Sequence, residues 1–299
     1  MKRISGIGEL GLIRRIAALV KSDSSVIKGI GDDCAVLKLD RTNYLLLTCD
    51  MLVEGIDFTR RDPPGLIGRK ALAVSISDIA ACAGIPRYAL VSLGLPQDLP
   101  LKFFDAVYRG IVDLAGEYKI NIVGGDLSRS RALSLDVTVA GVVEKNRLVL
   151  RSGARPGDVI FVTGELGGSI AGKHLEFTPR LKESRFLTAN FKPSSMIDIS
   201  DGLSLDLSRI LEASRAGAVI YEDRIPRSRN CRSLRDALGS GEDFELLFTL
   251  APKQAKRLIA ARPKEFKPVG FITRKEPGLR LVTRGGREVA IKPSGYQHF

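Results

Sequence analysis

Two kinds of apolar pattern alternate along this chain of 299 residues, and the alternation limits the folds that it can adopt. Residues 9–20, 66–82 and 101–118 repeat apolar side chains at the spacing of amphipathic helices. Short runs rich in Val, Ile and Leu lie between and after them, bounded by Gly, Pro or Asp; these include YLLLTCD, YALVSLGLP, INIVGGD and LSLDVTVAGVV. Such runs are typical of strands. The sequence therefore predicts an α/β or α+β protein.

A basic linker rich in Gly and Pro, KNRLVLRSGARPGD, interrupts this pattern near the middle of the chain. The strand VIFVTG follows it, and the succession of strand, glycine turn and helix then begins again. After ELLFTL we expect a helix from about Pro252 and three short strands up to Ile291. We therefore predict two domains, residues 1–145 and 146–299, with no short-period repeat.

Composition narrows the class of protein. No apolar run reaches the roughly 18 residues of a membrane span, and MKRISGIGELGLIRR at the N-terminus contains no signal core. We therefore expect a soluble, cytoplasmic protein. Its four cysteines form no CxxC pair and it has only two histidines, too few for a structural zinc site, so reduced thiols are expected.

The net charge of +12 is concentrated near the C-terminus. Residues 251–299 contain 12 Lys and Arg against 3 Glu, whereas residues 1–60 contain 9 against 8 acidic residues. Aromatic residues are few in the basic block, and no known nucleic-acid module is present. The block is interpreted as a solvated basic face or a site for a polyanionic small molecule, with no binding of nucleic acid.

A turn at DRTN separates two strand-like runs and predicts a hairpin centred between Arg41 and Thr42. In this register Asp33 faces Asp50, and two full charges about 4 Å apart repel by roughly 4 kcal/mol at an effective dielectric near 20. A bound cation would remove that repulsion. Cys34 would face Cys49 on the other side of the hairpin, as a pair of small buried residues rather than a disulfide.

Further acidic residues stand at the ends of apolar runs: Asp78, Asp126, Asp198 and Asp201. Each one alone can be explained as a helix cap, and Asp201 before Gly202 could simply start a helix. Carboxylates that cluster without His or Cys suit Mg²⁺, which shares its ligand shell with water and substrate phosphates. The set as a whole therefore predicts a magnesium-dependent enzyme that uses a nucleotide.

Glycine turns support a phosphate substrate. GIG at 29–31, Gly124-Gly125 and GELGG at 164–168 would let backbone amides approach phosphate oxygens. GGSIAGKH at 167–174 matches a Walker A loop as far as its lysine, but His174 replaces the required Ser or Thr. We interpret it as a strand-to-helix connection. No GxSxG elbow supports a serine hydrolase.

A series of motifs runs along the chain in the order GIGDDCAV, TCDMLVEG, KALAVSISDIAACAGIP, VGGDLSRS, RSGARPGD, VTGELGGS, IDISDGLSLDL, GSGEDFELLF and GYQHF. Together they resemble the thiamine-monophosphate kinases over nearly the whole chain. The resemblance implies phosphorylation of thiamine monophosphate by MgATP to thiamine diphosphate. It also implies a two-domain ATP-binding synthetase-like fold, in which N-terminal mixed sheets pair in a homodimer and a C-terminal α+β domain closes each site.

Site residues follow from the same resemblance. The implied metal ligands are Asp33, Thr48, Asp50, Asp78, Asp126, Asp198 and Asp201, among which Asp78, Asp126 and Asp198 would be catalytic. Gly125, Asp126, Arg151 and Ser200 match nucleotide contacts, and Glu242 and Tyr296 lie where the family holds the thiamine end. Asp206 is not assigned to metal, so its neutralisation should change little.

One residue departs from the family pattern. Asp57 stands before the Phe of VEGIDF, where the family usually has His. A carboxylate there could meet the positive thiazolium ring of the substrate, or only water. The phosphate acceptor is largely ionised near pH 7, with a second pKa of about 6, so the reaction needs no catalytic base.

Three other functions stay open. The first is a related ATP-using synthetase, such as aminoimidazole ribonucleotide synthetase; selenophosphate synthetase is disfavoured, because no Cys or Lys occupies a nucleophile position in an N-terminal glycine loop. The second is a basic nucleic-acid-binding protein. The third is a noncatalytic metal-binding scaffold.

Overall fold

The computed structural model describes residues 4–261, 264–276 and 278–298. Met1 to Arg3 of the N-terminal segment and Phe299 of the GYQHF motif lie outside the described residues. The α-helices are α1 (Glu9–Leu19), α2 (Pro64–Ala81), α3 (Leu101–Tyr118), α4 (Lys173–Glu176), α5 (Leu181–Asn190), α6 (Leu203–Ser214), α7 (Leu234–Gly239) and α8 (Pro252–Ala261). The strands are β1 (Val26–Lys28), β2 (Ala35–Lys38), β3 (Asn43–Val53), β4 (Ile85–Leu95), β5 (Asn121–Arg129), β6 (Ser134–Glu144), β7 (Val159–Thr163), β8 (Pro193–Asp198), β9 (Ala216–Tyr221), β10 (Leu246–Leu250), β11 (Phe266–Arg274), β12 (Leu279–Val282) and β13 (Glu288–Ala290).

The strands form two mixed sheets. The N-terminal sheet has the order β1-β2-β3-β6-β4-β5, in which β4 and β5 run parallel. The C-terminal sheet has the order β13-β12-β9-β11-β7-β10-β8, in which β9 and β12 run parallel. The predicted fold class is confirmed, both the α/β or α+β class from the alternating pattern and the N-terminal mixed sheet that the family resemblance implied.

Helix α2 lies between the two sheets. It contacts β3 and β6 of the N-terminal sheet, β8 of the C-terminal sheet, and helices α3, α4 and α5. Most of its residues are buried, because its apolar side chains continue around the whole circumference, as in helices of a protein core. Among the described helices, none combines the length and hydropathy needed to cross a membrane.

Close packing of α2 against α3 depends on two glycines. A Cβ atom on Gly68 of α2 would lie 1.8 Å from the carbonyl oxygen of Val107, and one on Gly110 of α3 would lie 1.9 Å from that of Gly65. Both distances are far inside van der Waals contact. The two backbones therefore touch at these glycines, which fixes how deeply α2 sits in the protein.

The hairpin of β2 and β3 forms, but the predicted register is wrong by one residue. Ala35 pairs with Leu47 and Lys38 pairs with Tyr44, so the loop is centred on Arg41. The Asp40 side chain causes the shift, because it accepts hydrogen bonds from the backbone N–H groups of Thr42 and Asn43, each at 2.7 Å.

A slip of one residue turns each side chain to the other face of the hairpin, and it changes the predicted cysteine pair. Cys34 is buried and its thiol is hydrogen-bonded to that of Cys82, whereas Cys49 is exposed and lies 3.1 Å from a carboxylate oxygen of Asp136. Asp33 precedes the first paired residue of β2 and does not face Asp50 across the ladder. All four cysteines are free thiols.

We expect Gly110→Ala to lower the free energy of unfolding by about 1–3 kcal/mol, because the added methyl group forces α3 away from α2. Gly116→Ala is the matched control: it lies on the same helix, and nothing lies within 4 Å of its Cβ position. That change should leave stability unchanged or raise it by up to about 1 kcal/mol. Urea unfolding of both variants tests this, and equal effects would contradict the close-packing account.

Candidate active site

A cleft of about 810 Å³ between the two sheets contains most of the residues predicted for the site. Those that line it are Asp33, Thr48, Asp50, Asp57, Asp78, Arg151, Asp198, Ser200, Asp201, Glu242 and Tyr296. Gly125 and Asp126 lie elsewhere. The cleft thus combines side chains from both halves of the chain, as the family resemblance implied.

The acidic residues reach the cleft from four elements. Thr48 and Asp50 point from β3 toward α2, and Asp78 lies near the end of α2. Asp33 belongs to the loop between β1 and β2, and Asp198 is the last residue of β8. Because β8 and α2 are in contact, carboxylates separated by more than a hundred residues become neighbours.

Hydroxyl groups hold these carboxylates in place. Ser75 of α2 donates a hydrogen bond to Asp50 Oδ2 at 2.8 Å, and Ser77 donates to Asp198 Oδ2 at 2.6 Å. The Thr48 hydroxyl donates to Asp78 Oδ2. Sequence reasoning missed both serines, although polar residues in an otherwise apolar helix were a usable signal.

The electrostatics of the cluster indicate that a cation is needed to balance it. One carboxylate oxygen each from Asp33, Asp78 and Asp198 lies within 4.8 Å of the others. Burial, with the charges of neighbouring carboxylates, raises the pKa values of Asp78 and Asp198 well above the ordinary value, and burial raises that of Asp50 to about 6. Asp33 Oδ2 is buried and has no hydrogen-bond partner among the described residues. An all-oxygen site of this kind fits Mg²⁺.

Arg151 lies beside this cluster. Its Nη2 atom donates to Asp33 Oδ1 at 2.8 Å, and its backbone N–H lies 3.2 Å from Asp32 Oδ1. Burial and the charge of Asp33 raise the pKa of Asp32 to about 6. Asp32 was not among the predicted residues, although it is the other half of the DD pair, and it adds a further carboxyl group to the cleft.

The structure corrects the roles expected of Asp201 and Asp206. The N-cap of α6 is Gly202, so Asp201 is not a capping residue; its carboxylate pairs instead with Arg209. Asp206 Oδ2 accepts from the backbone N–H groups of Asp201 and Gly202, both at 3.0 Å, and Oδ1 accepts from Arg209 at 2.6 Å. The expectation that Asp206 can be neutralised without effect is therefore wrong, because this buried carboxyl group holds the loop that carries Asp201.

Asp57, Glu242 and Tyr296 lie together at one part of the cleft. Burial raises the pKa of Tyr296, and the charges of Asp57 and Glu242 raise it further. Asp57 Oδ2 accepts from the backbone N–H of Val53 at 2.7 Å. The backbone N–H of Tyr296 donates to the carbonyl oxygen of Asp201 at 3.0 Å, which fixes the C-terminal segment against the start of α6.

Gly125 and Asp126 are separated from this cluster. Strands β4 and β6 lie between β5, which carries Asp126, and β3. The paired residues are Asp126 with Ser92, Ser92 with Asp136, and Asp136 with Met51. Three strand spacings therefore separate Asp126 from β3, a distance of about 14 Å. Because successive residues of a strand point to opposite faces, Asp126 is on the other face of the sheet from Asp50. Both residues line a second, more open cavity of about 850 Å³ with Phe104 and Tyr108.

The glycine segment that resembles a Walker A loop is held by the protein itself. Asp243 is buried and accepts from the backbone N–H of Gly167 at 3.0 Å, so this part of GELGG is not free to bind phosphate. Lys173 Nζ lies 2.7 Å from a carboxylate oxygen of buried Glu245. The interpretation as a strand-to-helix connection is confirmed, and the expectation of a phosphate-binding turn at Gly167 is wrong.

The Lys and Arg side chains of the basic block, residues 251–299, lie away from the cleft, although Tyr296 of the same block lines it. None of its described Lys or Arg side chains lines that cavity, and some pair with acidic neighbours, as Arg280 does with Glu288 at 2.7 Å. This placement supports a solvated basic face.

Comparisons with known proteins agree with the fold and show the family. The family models of AIR synthase related protein match residues 31–143 (N-terminal domain) and 155–280 (C-terminal domain). The thiamine-monophosphate kinases of Buchnera aphidicola subsp. Schizaphis graminum and Bacillus subtilis are 36% and 34% identical to the chain. These alignments cover 93% of the chain and 94% of the Buchnera protein, and 97% of the chain and 99% of the Bacillus protein. A solved structure described as AaThiL complexed with AMPPCP and TMP is 30% identical, covers 100% of this chain and 99% of its own, and has a TM-score of 0.88.

We expect Asp78→Asn and Asp198→Asn to raise the Tm of the metal-free protein by a few degrees at pH 8, since about 1 kcal/mol corresponds to about 2–4 °C in domains of this size. The pKa values of both carboxyl groups are raised in the folded protein. Their contribution to the free energy of unfolding is therefore fully present below their pKa in the unfolded chain, near 4, and is lost as the pH rises through their pKa values in the folded protein. The increase in Tm caused by either substitution should therefore be smaller at pH 5 than at pH 8.

Thermal melts with EDTA and with MgCl₂ measure both effects, and Mg²⁺ should stabilise the unmodified protein far more than either variant. Asp158→Asn is the control, because Asp158 is equally buried but binds the backbone N–H of Arg155 away from the cleft. An unchanged response to Mg²⁺ in both cleft variants would remove the cluster as a cation site.

Proposed function

The chain belongs to the thiamine-monophosphate kinases of the AIR synthase related family, and we propose that its cleft transfers the γ-phosphoryl group of ATP to thiamine monophosphate. The products are thiamine diphosphate and ADP. The observation that carries this proposal is the group formed by Asp33, Asp78 and Asp198, whose carboxylates lie together and include a buried oxygen of Asp33 with no hydrogen-bond partner in the described part of the chain. The cytoplasm, where ATP is available, is the proposed location.

The residues of the cleft suit phosphoryl transfer to a phosphate. The acceptor oxygen is already largely ionised near pH 7, so the site has to position two polyanions rather than remove a proton. Asp33, Thr48, Asp50, Asp78, Asp198 and Asp201 are the residues proposed to hold Mg²⁺. When bound, Mg²⁺ neutralises the charge that the two sets of phosphate oxygens bring together.

The remaining residues divide between the two substrates. Arg151 and Ser200 are proposed to contact the nucleotide, and the Arg151 guanidinium, which pairs with Asp33, can exchange that carboxylate for a phosphate oxygen. Asp57, Glu242 and Tyr296 are proposed to receive the thiamine end, where two carboxylates face a ring that carries a positive charge. Residues 1–145 would supply most of the metal site and the dimer contact, and residues 146–299 would close the cleft.

A second copy of the chain is proposed to cover the open face of the N-terminal sheet. Helix α2 covers the other face. On the open face, three large apolar side chains from strands β3 and β4, which lie on either side of β6, are 45–59% exposed: Met51, Tyr88 and Leu90. Apolar side chains grouped on one sheet face favour contact with another protein surface, and a homodimer places the same face on both partners.

A homodimer would also explain how Asp126 could take part in the reaction. The strand pairing places Asp126, on edge strand β5, on the same sheet face as Met51, and Asp126 does not line the cleft of its own chain. If it contacts metal and nucleotide, as the family resemblance implies, it would do so in the cleft of the partner. Each site would then be completed by the other protomer.

We expect thiamine monophosphate to be phosphorylated and free thiamine to be inert, because the cleft groups carboxylates that suit a cation and a phosphate acceptor, whereas a hydroxyl acceptor would need a general base to activate it. An assay with MgATP that measures diphosphate product from thiamine monophosphate, free thiamine and aminoimidazole ribonucleotide precursors separates the family members. Turnover of free thiamine at a comparable rate would contradict the proposed chemistry. Turnover of the aminoimidazole precursor alone would favour the related synthetase.

We expect the protein to be a dimer at micromolar concentration and Leu90→Lys to shift it toward the monomer, because a charged side chain would be buried against the partner. Ile259→Lys is the control, since Ile259 is 50% exposed on α8, away from the sheet. Light scattering coupled to size exclusion gives both masses. A monomeric parent protein, or a dimer that tolerates Leu90→Lys, would count against this interface.

Sharing of sites can be tested with two variants that should each be inactive, Asp78→Asn and Asp126→Asn. In a mixed dimer one site carries both substitutions and the other carries neither, so unfolding and refolding an equal mixture should restore about a quarter of the activity. If Asp126 acts in its own chain, every site in the mixture contains one substitution and the activity stays at the level of the single variants.

A further inference from the structure

Lys70 is a fully buried lysine in the middle of helix α2, with a relative exposure of 0%. Charged side chains are almost never buried to this extent unless they are paired. The family resemblance assigns Lys70 no role, and it is followed by the apolar stretch ALAV. Its ammonium group therefore needs an explanation from its partners.

Those partners come from both halves of the chain. Lys70 Nζ donates a hydrogen bond to the carboxylate of Glu242 and another, at 2.8 Å, to the carbonyl oxygen of Asp57. Asp57 lies in the loop after β3, and Glu242 lies just before β10. One buried ammonium group thus holds two segments that are 185 positions apart, at the part of the cleft where the thiamine end is proposed to bind.

The backbone conformation of Glu242 indicates that contacts with its surroundings hold it in place. Glu242 has a φ angle of 56°, in the left-handed region that residues other than glycine rarely adopt. Its backbone N–H donates to the carbonyl oxygen of Ser200 at 2.6 Å. A strained residue persists where its surroundings determine it, and the ion pair with Lys70 is part of those surroundings.

The net charge of Lys70, Glu242 and Asp57 also matches a ligand that carries one positive charge. Lys70 contributes one positive charge, and Glu242 and Asp57 contribute one negative charge each. The group therefore has a net charge of −1, opposite to the single positive charge of a thiazolium ring. Without Lys70 the two carboxylates would repel each other, and Glu242 would be released from its position.

We propose that Lys70 is a positioning residue, which fixes Glu242 and the Asp57 loop so that the cleft presents one net negative charge to the cationic ring of the substrate. This inference rests on the proposed function. Lys70 itself does not line the cleft and does not act on the phosphates. Its removal should therefore weaken the binding of thiamine monophosphate and leave the binding of ATP nearly unchanged.

The chain offers a comparison for a merely structural ion pair. Lys173 pairs with Glu245, whose side chain is 1% exposed, and neither residue lines the cleft. Lys173→Met removes a lysine from a carboxylate that Arg180 also holds, so it measures the effect of losing an ion pair outside the cleft. Both variants should lose stability, but only Lys70→Met should change substrate recognition.

The test measures KM for each substrate and the Kd of thiamine monophosphate by calorimetry. For Lys70→Met we expect KM and Kd for thiamine monophosphate to rise about 10-fold or more, with KM for ATP within about twofold of the parent value. For Lys173→Met we expect both KM values within about twofold. Similar kinetic profiles for the two variants, or an equal rise in both KM values of Lys70→Met, would overturn the inference.

A double variant keeps the test decisive if Lys70→Met does not fold. Lys70→Met with Glu242→Gln buries no unpaired charge, so it should fold. Its KM for thiamine monophosphate should lie within about twofold of that of Glu242→Gln alone, because Lys70 acts mainly through Glu242 and only its contact with the Asp57 carbonyl oxygen is lost in addition. A further rise of about 10-fold in the double variant would overturn this. If the parent protein does not phosphorylate thiamine monophosphate, the proposed function fails; if it does and the variants behave otherwise, only the role of Lys70 fails.

Discussion

The burial of helix α2 between the two sheets is the constraint on which the rest of the structure depends. A helix that is covered on all sides cannot leave its polar side chains in water, so each of them must find a partner in the protein or in a ligand. Lys70 pairs with Glu242, Ser75 with Asp50, and Ser77 with Asp198. Those partners belong to the other elements that surround α2, and together they form the wall of the cleft. The contacts that satisfy the buried polar side chains of α2 therefore also determine the geometry of the cleft.

Contacts outside the cleft hold the two halves in this arrangement. Arg185 of α5 donates two hydrogen bonds of 2.7 Å to Glu144 at the end of β6, and it donates another to the carbonyl oxygen of Ala83. The Arg185 guanidinium lowers the pKa of Glu144 to about 2. Ser184 donates to the carbonyl oxygen of Ala80 at 2.6 Å. Because these contacts involve the residues that follow and end α2, they keep the carboxylates of the two halves close although those groups repel one another.

Much of the fold and of the site could be predicted from the sequence, because both depend on local patterns. Helical periodicity located α2 and α3, and Val-rich runs located the long strands. Of the acidic residues at the ends of those runs, Asp78, Asp198 and Asp201 converge in the cleft, since strand ends and helix ends meet where two layers pack, whereas Asp126 does not.

What could not be predicted depends on single side chains and on the tertiary contact. The register of the β2–β3 hairpin was wrong because Asp40 accepts two backbone N–H groups and recentres the loop. Asp206 was misjudged because its burial and its hydrogen bonds to the Asp201 loop arise only in the folded protein. The distance of Asp126 from Asp50 follows from the strand order, which no local pattern contains.

The central claim is that the carboxylates of Asp33, Asp78 and Asp198 form a cation site in the cleft. The most direct measurement is an anomalous difference map from crystals grown with Mn²⁺, a non-hydrolysable ATP analogue and thiamine monophosphate. The account predicts a peak about 2 Å from oxygens of these three residues, with the phosphates on its open side. A map with both substrates bound and no metal peak among these carboxylates would contradict it.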